Sequence, residues 1–339
     1  MTGKFHIKNY VRWISLTAVI MIVIGCVVTF AGFASGGFKM NALFGLDESI
    51  YRTKVVEGKN SSIDSIVVDA DVAEITLKHS DSSDYELEYP SNRYSCQTEG
   101  DRIVITGSSA ERSRPWYQAV FFNTSFDERV VLKVPLSFSG TVELHSDFGQ
   151  IKVADDFTFD SLILKSDNGK ILTGRLTVNG DAIIRSNFGT IQIEALAASG
   201  DVQIKNDNGK ISIKEMTGFE IAEITSSFGN MELCNIGGRL LTVQNDNGEV
   251  ELHSVSLESK LSVKSNFGSI KCDRVFAPDI LLHSDNGSIK GTIDGNESDF
   301  DINYQADAGS GNFLSKGNGK YSVEARASFG SIDLEFSER

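Results

Sequence analysis

The stretch "SDNGKI" occupies Ser166–Ile171 and "NDNGKI" occupies Asn206–Ile211, with "SNFGTI" at Ser186–Ile191 between them. The chain thus returns to one type of corner every twenty residues, and the corner alternates between Asn-Gly and Phe-Gly. Self-similarity at such a period is typical of a solenoid, in which each unit buries its apolar side against its neighbours. The stretch therefore predicts a repeat protein.

The corner glycine marks each copy of the repeat. Over the first eight copies the glycines are 19 or 20 residues apart, and a degenerate copy lies near Gly309 or Gly311. We interpret these glycines as structural corners. The well-preserved copies are Gly149, Gly169, Gly189, Gly209, Gly229, Gly248, Gly268, Gly287 and Gly330.

Apolar residues alternate on both sides of each corner. In one unit Val202 and Ile204 precede the corner, and Ile211 and Ile213 follow it. A period of two is typical of β-strands and not of helices. We therefore predict an all-β fold whose unit is two short strands joined by an Asx-Gly or Phe-Gly corner.

Two arrangements of this unit are open. Asn-Gly between alternating strands also suits a type I′ hairpin, so a stack of independent hairpins is an alternative. A parallel β-solenoid (β-helix) of about 20 residues per repeat explains the constant spacing better, because it places equivalent residues in ladders about 4.8 Å apart. It predicts a polar ladder that bonds turn backbone groups. Its members are Ser146, Ser166, Ser186, Asn206, Ser226, Asn245, Ser265 and Ser284.

The length of one coil decides how the corners stack. A 40-residue coil would stack Phe on Phe and would place acids such as Asp167 and Asp207 in a repulsive ladder. In a 20-residue coil Asn187 separates these two acids, and each Phe has about 9.6 Å of axial room. We favour the 20-residue coil.

The segment before the repeats lacks the corner but contains alternating stretches, "SIVVDADVAEITL" at Ser65–Leu77 and "RVVLKVPL" at Arg129–Leu136. A solenoid needs its first rung covered. We therefore predict an N-terminal β cap over residues 61–135 that leads into solenoid repeats over residues 136–335.

An apolar segment near the N-terminus predicts one transmembrane helix over residues 12–35. Trp13–Ala34 contains no charge and is long enough to span a bilayer core. Because the preceding flank is basic, residues 1–11 are expected to be a cytoplasmic tail, with a linker over 36–60 and the rest extracytoplasmic. Lipidation at Cys26, or cleavage after Ala34, is the alternative.

Composition limits the partners. The formal net charge is −14, and the first 40 residues contain four Lys/Arg and no acid, so the exported part is more acidic still. This argues against nucleic acid and anionic lipid as partners. The expected partners are the membrane, through the helix, and an envelope protein or a cell-wall glycan.

No catalytic, metal or cofactor pattern stands out. The acids recur at one place in each coil, which indicates a ladder, and Lys165 and Lys205 are positioned to pair with Asp167 and Asp207. The five histidines lack ligand spacing, and His145 and His283 are expected to be solvated. The cysteines suggest neither disulfides nor zinc, and Cys272 is expected to be buried. The alternative is that the aspartates at the corners bind calcium.

One irregular stretch, "RSRPWYQAVFF" at Arg112–Phe122, concentrates aromatic and basic side chains in an acidic domain. Such residues are enriched at binding hot spots, although they could equally fill the core of the cap. The candidate partner contacts are Arg112, Arg114, Trp116, Tyr117, Phe121 and Phe122.

The N-terminal anchor, "VVDADVAEI", "LKVPLSFSGTVELHSDFGQIKV" and the tandem corners together resemble the bacterial putative-adhesin family of unknown function, over roughly residues 60–335. The resemblance implies a β-helical, surface-exposed module and transfers no site residue. We expect a non-enzymatic, membrane-anchored extracytoplasmic scaffold or adhesin-like binding module. The alternatives are an envelope-stress regulatory protein that binds a membrane partner and a cell-wall polysaccharide-active enzyme.

Overall fold

The computed structural model describes residues 51–56, 63–91, 93–107, 128–311 and 315–338, together with positions 21, 22 and 25. Tyr51–Arg339 forms one compact unit, separate from Met1–Ile50. Its strands, in chain order, are β1 Tyr51–Val56, β2 Ser65–Ala70, β3 Glu74–His79, β4 Tyr85–Pro90, β5 Tyr94–Glu99, β6 Arg102–Gly107, β7 Arg129–Val134, β8 Thr141–Phe148, β9 Ile151–Val153, β10 Phe157–Phe159, β11 Ser161–Asn168, β12 Ile171–Val178, β13 Ala182–Phe188, β14 Ile191–Ala198, β15 Val202–Asn208, β16 Ile211–Ile213, β17 Met216–Phe228, β18 Met231–Asn247, β19 Val250–Phe267, β20 Ile270–Phe276, β21 Asp279–Asn286, β22 Ile289–Asp294, β23 Phe300–Ala308, β24 Tyr321–Phe329 and β25 Ile332–Ser337. A short 3-10 helix spans Glu297–Asp299.

Pairing in the repeat region is parallel and shifted by one repeat. Leu164 of β11 lies beside Ile184 of β13, which in turn lies beside Ile204 of β15. The strands after the corner pair in the same way, with Ile171 beside Ile191. This register confirms the parallel β-solenoid of about 20 residues per turn and excludes both the hairpin stack and the 40-residue coil.

Each turn buries one side of each strand. In the turn that begins with β11, the buried side chains belong to alternate positions before the corner, directly after it, and further along β12. The alternation continues through the turn because each buried residue stacks on its equivalent in the next rung. These side chains are Leu162, Leu164, Ser166, Ile171, Thr173, Leu176 and Val178.

The N-terminal rungs are not stacked in sequence order. β2 lies between β6 and β8, and β3 lies between β7 and β9, all in parallel pairs. β4 and β5 pair antiparallel with β7 and β6. β1, which falls inside the range expected to be a linker, pairs antiparallel with β4. The solenoid ladders therefore extend into the segment expected to be a cap.

The C-terminal rungs also depart from sequence order. β24 pairs with β21 on one side and with β23 on the other, although β23 precedes it in the chain. β25 pairs with β22. The ends of the ladder are thus built from strands that fold back over the regular repeats.

The expected transmembrane helix, residues 12–35, lies outside the described residues except for Met21, Ile22 and Gly25. Within the described part of the chain, no helix has the length and apolar character needed to cross a membrane. The expected topology stays a prediction.

Candidate functional site

The inner side of the corner is a column of stacked glycines. Gly209 has a φ of +139°, a conformation that favours glycine. A Cβ at this position would lie 2.8 Å from the carbonyl carbon of Gly189, in the rung below. The same overlap recurs along the column, and at its end a Cβ at Gly309 would meet Gly330. Gly309 therefore occupies the degenerate corner.

The predicted polar ladder bonds most of the carbonyl groups of this column, whereas Ser226 Oγ and Ser265 Oγ are buried without a hydrogen-bond partner among the described residues. Asn206 Nδ2 donates to the Gly189 oxygen at 2.9 Å, and Asn245 Nδ2 donates to the Gly229 oxygen at 3.0 Å. Ser284 Oγ donates to the Gly268 oxygen at 3.0 Å. These side chains are buried, so their bonds stabilise turn carbonyls that water does not reach. The glycine and the polar residue three positions earlier therefore both stabilise the corner: the glycine allows the rungs to approach, and the polar side chain bonds a glycine carbonyl group of the preceding rung.

The outer side of the corner carries what we call the Phe/Asn ladder. Its members directly precede the corner glycines and stack in parallel register, Phe on Asn and Asn on Phe. The five phenylalanines are 54–65% exposed, which is unusual for so many aromatic residues in one column. The ladder comprises Phe148, Asn168, Phe188, Asn208, Phe228, Asn247, Phe267, Asn286 and Phe329.

A column of acids and amides runs beside the ladder. Asn187 Nδ2 donates to Asp167 Oδ1 at 2.9 Å, and Asn266 Nδ2 donates to Asp246 Oδ1 at 2.9 Å. The amides separate carboxylates that would otherwise repel each other on adjacent rungs. This is the interleaving that the 20-residue coil predicts.

A column of basic side chains lies two residues before the column of acids and amides. Its ion pairs with the acids form only partly as expected. Lys205 Nζ lies 3.2 Å from Asp207 Oδ1, as predicted. Lys165 does not follow this pattern, because its Nζ lies 3.2 Å from Glu143 Oε1 instead. His283, expected to be solvated, is partly exposed and places Nε2 2.8 Å from Asp285 Oδ1. The column is thus a set of exposed local pairs.

One departure from the interleaving lies at the start of the ladder. His145 Nδ1 is 2.9 Å from Asp69 Oδ1, and Nε2 is 3.3 Å from Asp147 Oδ1. Asp167 brings a carboxylate oxygen within 4.8 Å of these ligand atoms of His145 and Asp147. Partial burial, and next the carboxylates of Asp167, Asp71 and Asp69, raise the pKa of Asp147 despite the nearby His145.

His145, Asp147 and Asp167 could hold a divalent cation, because a carboxylate that orients the far nitrogen of a histidine is common around bound metals. This cluster was not predicted from the sequence. Its signal is "SDFG" at Ser146–Gly149, where the other internal Phe corners have Asn or Ser in place of Asp147.

Neither Cys272 nor Glu220 is a good candidate for a catalytic group. Cys272 is buried as predicted, and burial raises the pKa of its thiol to about 12. A surface depression between Gly218 and Glu258 contains Glu220, whose carboxylate lies 2.7 Å from Arg239 Nε. An acid that is paired in this way is a poor candidate for acid or base catalysis.

The six candidate partner contacts, Arg112 to Phe122, lie outside the described residues. The residues that flank this segment are Gly107, at the end of β6, and Glu128, directly before β7. The assignment of a partner contact there stays a prediction.

A family model described as Toastrack DUF4097 matches residues 63–221 and, in a second match, residues 197–339. The chain belongs to this family. The two matches span the repeats and the strands before them, and the resemblance drawn from the sequence motifs is confirmed. No match was found among curated proteins.

Solved structures are similar to this Toastrack DUF4097 chain at low identity. A putative adhesin from Parabacteroides merdae has 10% identity and a TM-score of 0.47, and covers 84% of this chain and 96% of its own. A putative adhesin from Parabacteroides distasonis has 13% identity and a TM-score of 0.46, with coverages of 84% and 97%. A putative lipid binding protein from the same species has 12% identity and a TM-score of 0.38, with coverages of 84% and 96%. Similarity at this level does not identify a ligand.

Proposed function

We propose that this protein is a non-enzymatic binding module, held at the outer face of a cell membrane by its N-terminal segment, with the Phe/Asn ladder as its contact surface. The observation that carries the proposal is the set of five exposed phenylalanines in one column. Single exposed apolar residues are ordinary on a protein surface, but a concentration of exposed aromatic side chains in one column is typical of an interaction site. The apolar, uncharged segment Trp13–Ala34 supports the anchor.

The arrangement of acids supports binding over catalysis. Glycoside hydrolysis uses two carboxylates that face one scissile bond. Along the ladder, amides separate Asp167 from Asp207 and bond Asp246, and Lys205 pairs with Asp207. Asp147 and Asp167 are close together and half-buried, but they lie on the outer side of the solenoid, where the nitrogen Nδ2 of Asn187 bonds Asp167. A surface whose acids are mostly paired with neighbouring side chains is suited to binding a ligand and not to catalysing its hydrolysis.

Photocrosslinking in intact cells tests the proposal. A benzophenone-bearing phenylalanine at position 188 replaces a ladder ring with a similar aromatic group, and the same residue at position 136 replaces Leu136, which is 77% exposed and off the ladder. We expect an envelope adduct from position 188 and none from position 136. Protease added to the same cells should degrade the domain without lysis.

Two outcomes would contradict the proposal. Equal adducts at both positions would show that the ladder is not a selective surface. Protection of the domain from protease until the cells are lysed would place it on the wrong side of the membrane.

A further inference from the structure

The Phe/Asn ladder has a fixed repeat along the solenoid axis. Consecutive rungs are about 4.8 Å apart, so phenylalanines on alternate rungs are about 9.6 Å apart. Phe148, Phe188 and Phe228 follow this spacing with one Asn between each pair. A ladder with a constant repeat is complementary to a polymer whose own repeat has nearly the same length.

The chemistry of the surface alternates with the same repeat. Each phenylalanine offers an apolar ring, and each Asn between two rings offers an amide oxygen as an acceptor. The amide nitrogens of Asn247 and Asn286 already donate to the backbone oxygens of Ser227 and Asn266. The column after the corner glycines adds further polar side chains, among them Gln150, Thr190 and Asn230, none of which is buried. Sugars present apolar C–H faces that stack on rings and hydroxyl groups that bond amides, so this alternation suits a glycan.

Charge narrows the choice of ligand. The chain carries a net charge of −14, but beside the ladder Asp167 and Asp207 are accompanied by Lys170 and Lys210. The overall negative charge disfavours nucleic acids and anionic polymers, and the mixed signs beside the ladder favour no net charge on the ligand. The surface therefore favours an uncharged ligand.

We propose that the Phe/Asn ladder binds an uncharged, extended β-1,4-linked glycan, with about one sugar per rung and every second sugar stacked on a phenylalanine. An extended β-1,4-linked chain turns over at each sugar and so repeats every disaccharide, over nearly the distance of two rungs. The inference rests on the proposed function, because it takes the ladder as the contact surface.

The first test compares soluble oligosaccharides by calorimetric titration of the full-length chain in detergent. The probes are an N-acetylglucosamine hexamer with β-1,4 linkages, cellohexaose, and maltohexaose, which has the same glucose units in a curled α-1,4-linked chain. We expect both β-linked hexamers to bind and maltohexaose not to bind.

Matched variants test the role of the spacing. Phe188→Asn places the other natural ladder residue at one rung, and should weaken binding by up to about tenfold through loss of one stacked ring. The double variant Asn208→Phe/Phe228→Asn keeps five phenylalanines but puts two on adjacent rungs, and it should weaken binding to a similar extent. Leu136→Asn removes an exposed apolar residue off the ladder and should leave affinity unchanged.

The outcomes separate this inference from its rivals. Undiminished affinity in the double variant, or equal binding of maltohexaose, would overturn the match of repeats. A dimer that Phe188→Asn dissociates would identify a second copy as the occupant and also overturn the inference. If position 188 crosslinks in cells while neither β-linked hexamer binds, the glycan assignment falls and the proposed function stands; if both tests are negative, both fall.

Discussion

At the residue scale, Gly209 shows why the corner repeats. Its φ of +139° and the overlap of any Cβ with Gly189 act together, since a side chain would need both a strained backbone and a displaced rung. The Gly189 oxygen is also the acceptor for Asn206. Glycine at position 209 therefore permits the backbone conformation and the close approach of the two rungs, and Asn206 bonds the carbonyl group of Gly189 at the same corner.

Gly209→Ala should destabilise the fold by on the order of 1–3 kcal/mol from backbone strain, with the steric overlap added to it. The matched control is Gly237→Ala, because a Cβ at Gly237 meets nothing closer than 3.8 Å. Denaturant unfolding of both variants measures the difference, and hydrogen exchange should show the damage in the adjoining rungs. Equal midpoints for the two variants would contradict the corner argument.

Asp147→Asn should stabilise the protein at neutral pH by about 0.5–1 kcal/mol, since it restores the "SNFG" corner found at Phe188 and Phe267. The folded protein raises the pKa of Asp147, so it binds this proton more tightly than the unfolded chain does. Ionisation therefore costs stability as pH rises through that pKa, and the advantage of Asn should fade as pH falls through it. Solvent screening keeps the effect small.

Thermal melts of the wild type and Asp147→Asn at neutral and acidic pH, with EDTA, measure this effect. Asp207→Asn is the control, because Asp207 pairs with Lys205 and has non-acidic neighbours in its column. If added zinc or calcium stabilises the wild type and not Asp147→Asn, then His145, Asp147 and Asp167 hold a cation. In that case Asp147→Asn lowers the stability of the protein in the presence of the cation.

At the scale of the elements, the repeat made the strands and their register predictable. Alternation around each corner defines the buried positions, and a constant period of 19 or 20 residues brings equivalent positions together. The polar ladder followed from the same register, as did the two-rung spacing of Phe148 and Phe188. Local spacing was sufficient because each rung contacts only its neighbours.

The order of the first rungs could not be predicted in this way. Asp69 of β2 lies beside His145 of β8, 76 residues later. Between them β5 and β6 form a hairpin, and β4 pairs antiparallel with β7, which is not its neighbour in the chain. No repeat spacing signals such a pairing, since it depends on long-range packing. Only the contact of Asp69 with His145 was hidden in this way, because Asp147 and Asp167 lie in consecutive repeats and their proximity follows from the regular register of β8 and β11.

At the scale of the whole molecule, added strands cover part of each end of the described solenoid. At the N-terminal end β5 and β4 pair antiparallel with β6 and β7, and β1 adds to β4. At the C-terminal end β23 pairs with the outer side of β24. Uncovered strand edges recruit other chains, so these additions reduce the parallel strand edge that is open to another copy of the chain.

The C-terminal cover is open to a direct test, because it comes last in the chain. Ending the chain at Gly295 removes β23, β24 and β25, and exposes the edges of β21 and β22, which otherwise pair with β24 and β25. We expect the truncated protein to form concentration-dependent oligomers in light scattering, whereas the full-length chain in the same detergent should not. Adding Leu281→Lys places a charge at an outward position of the exposed β21 edge and should reduce this association, because charged side chains oppose strand pairing. A truncated chain that stays monomeric and melts like the full-length protein would show that the terminal rungs are dispensable, and the covering role assigned to β23 would be wrong.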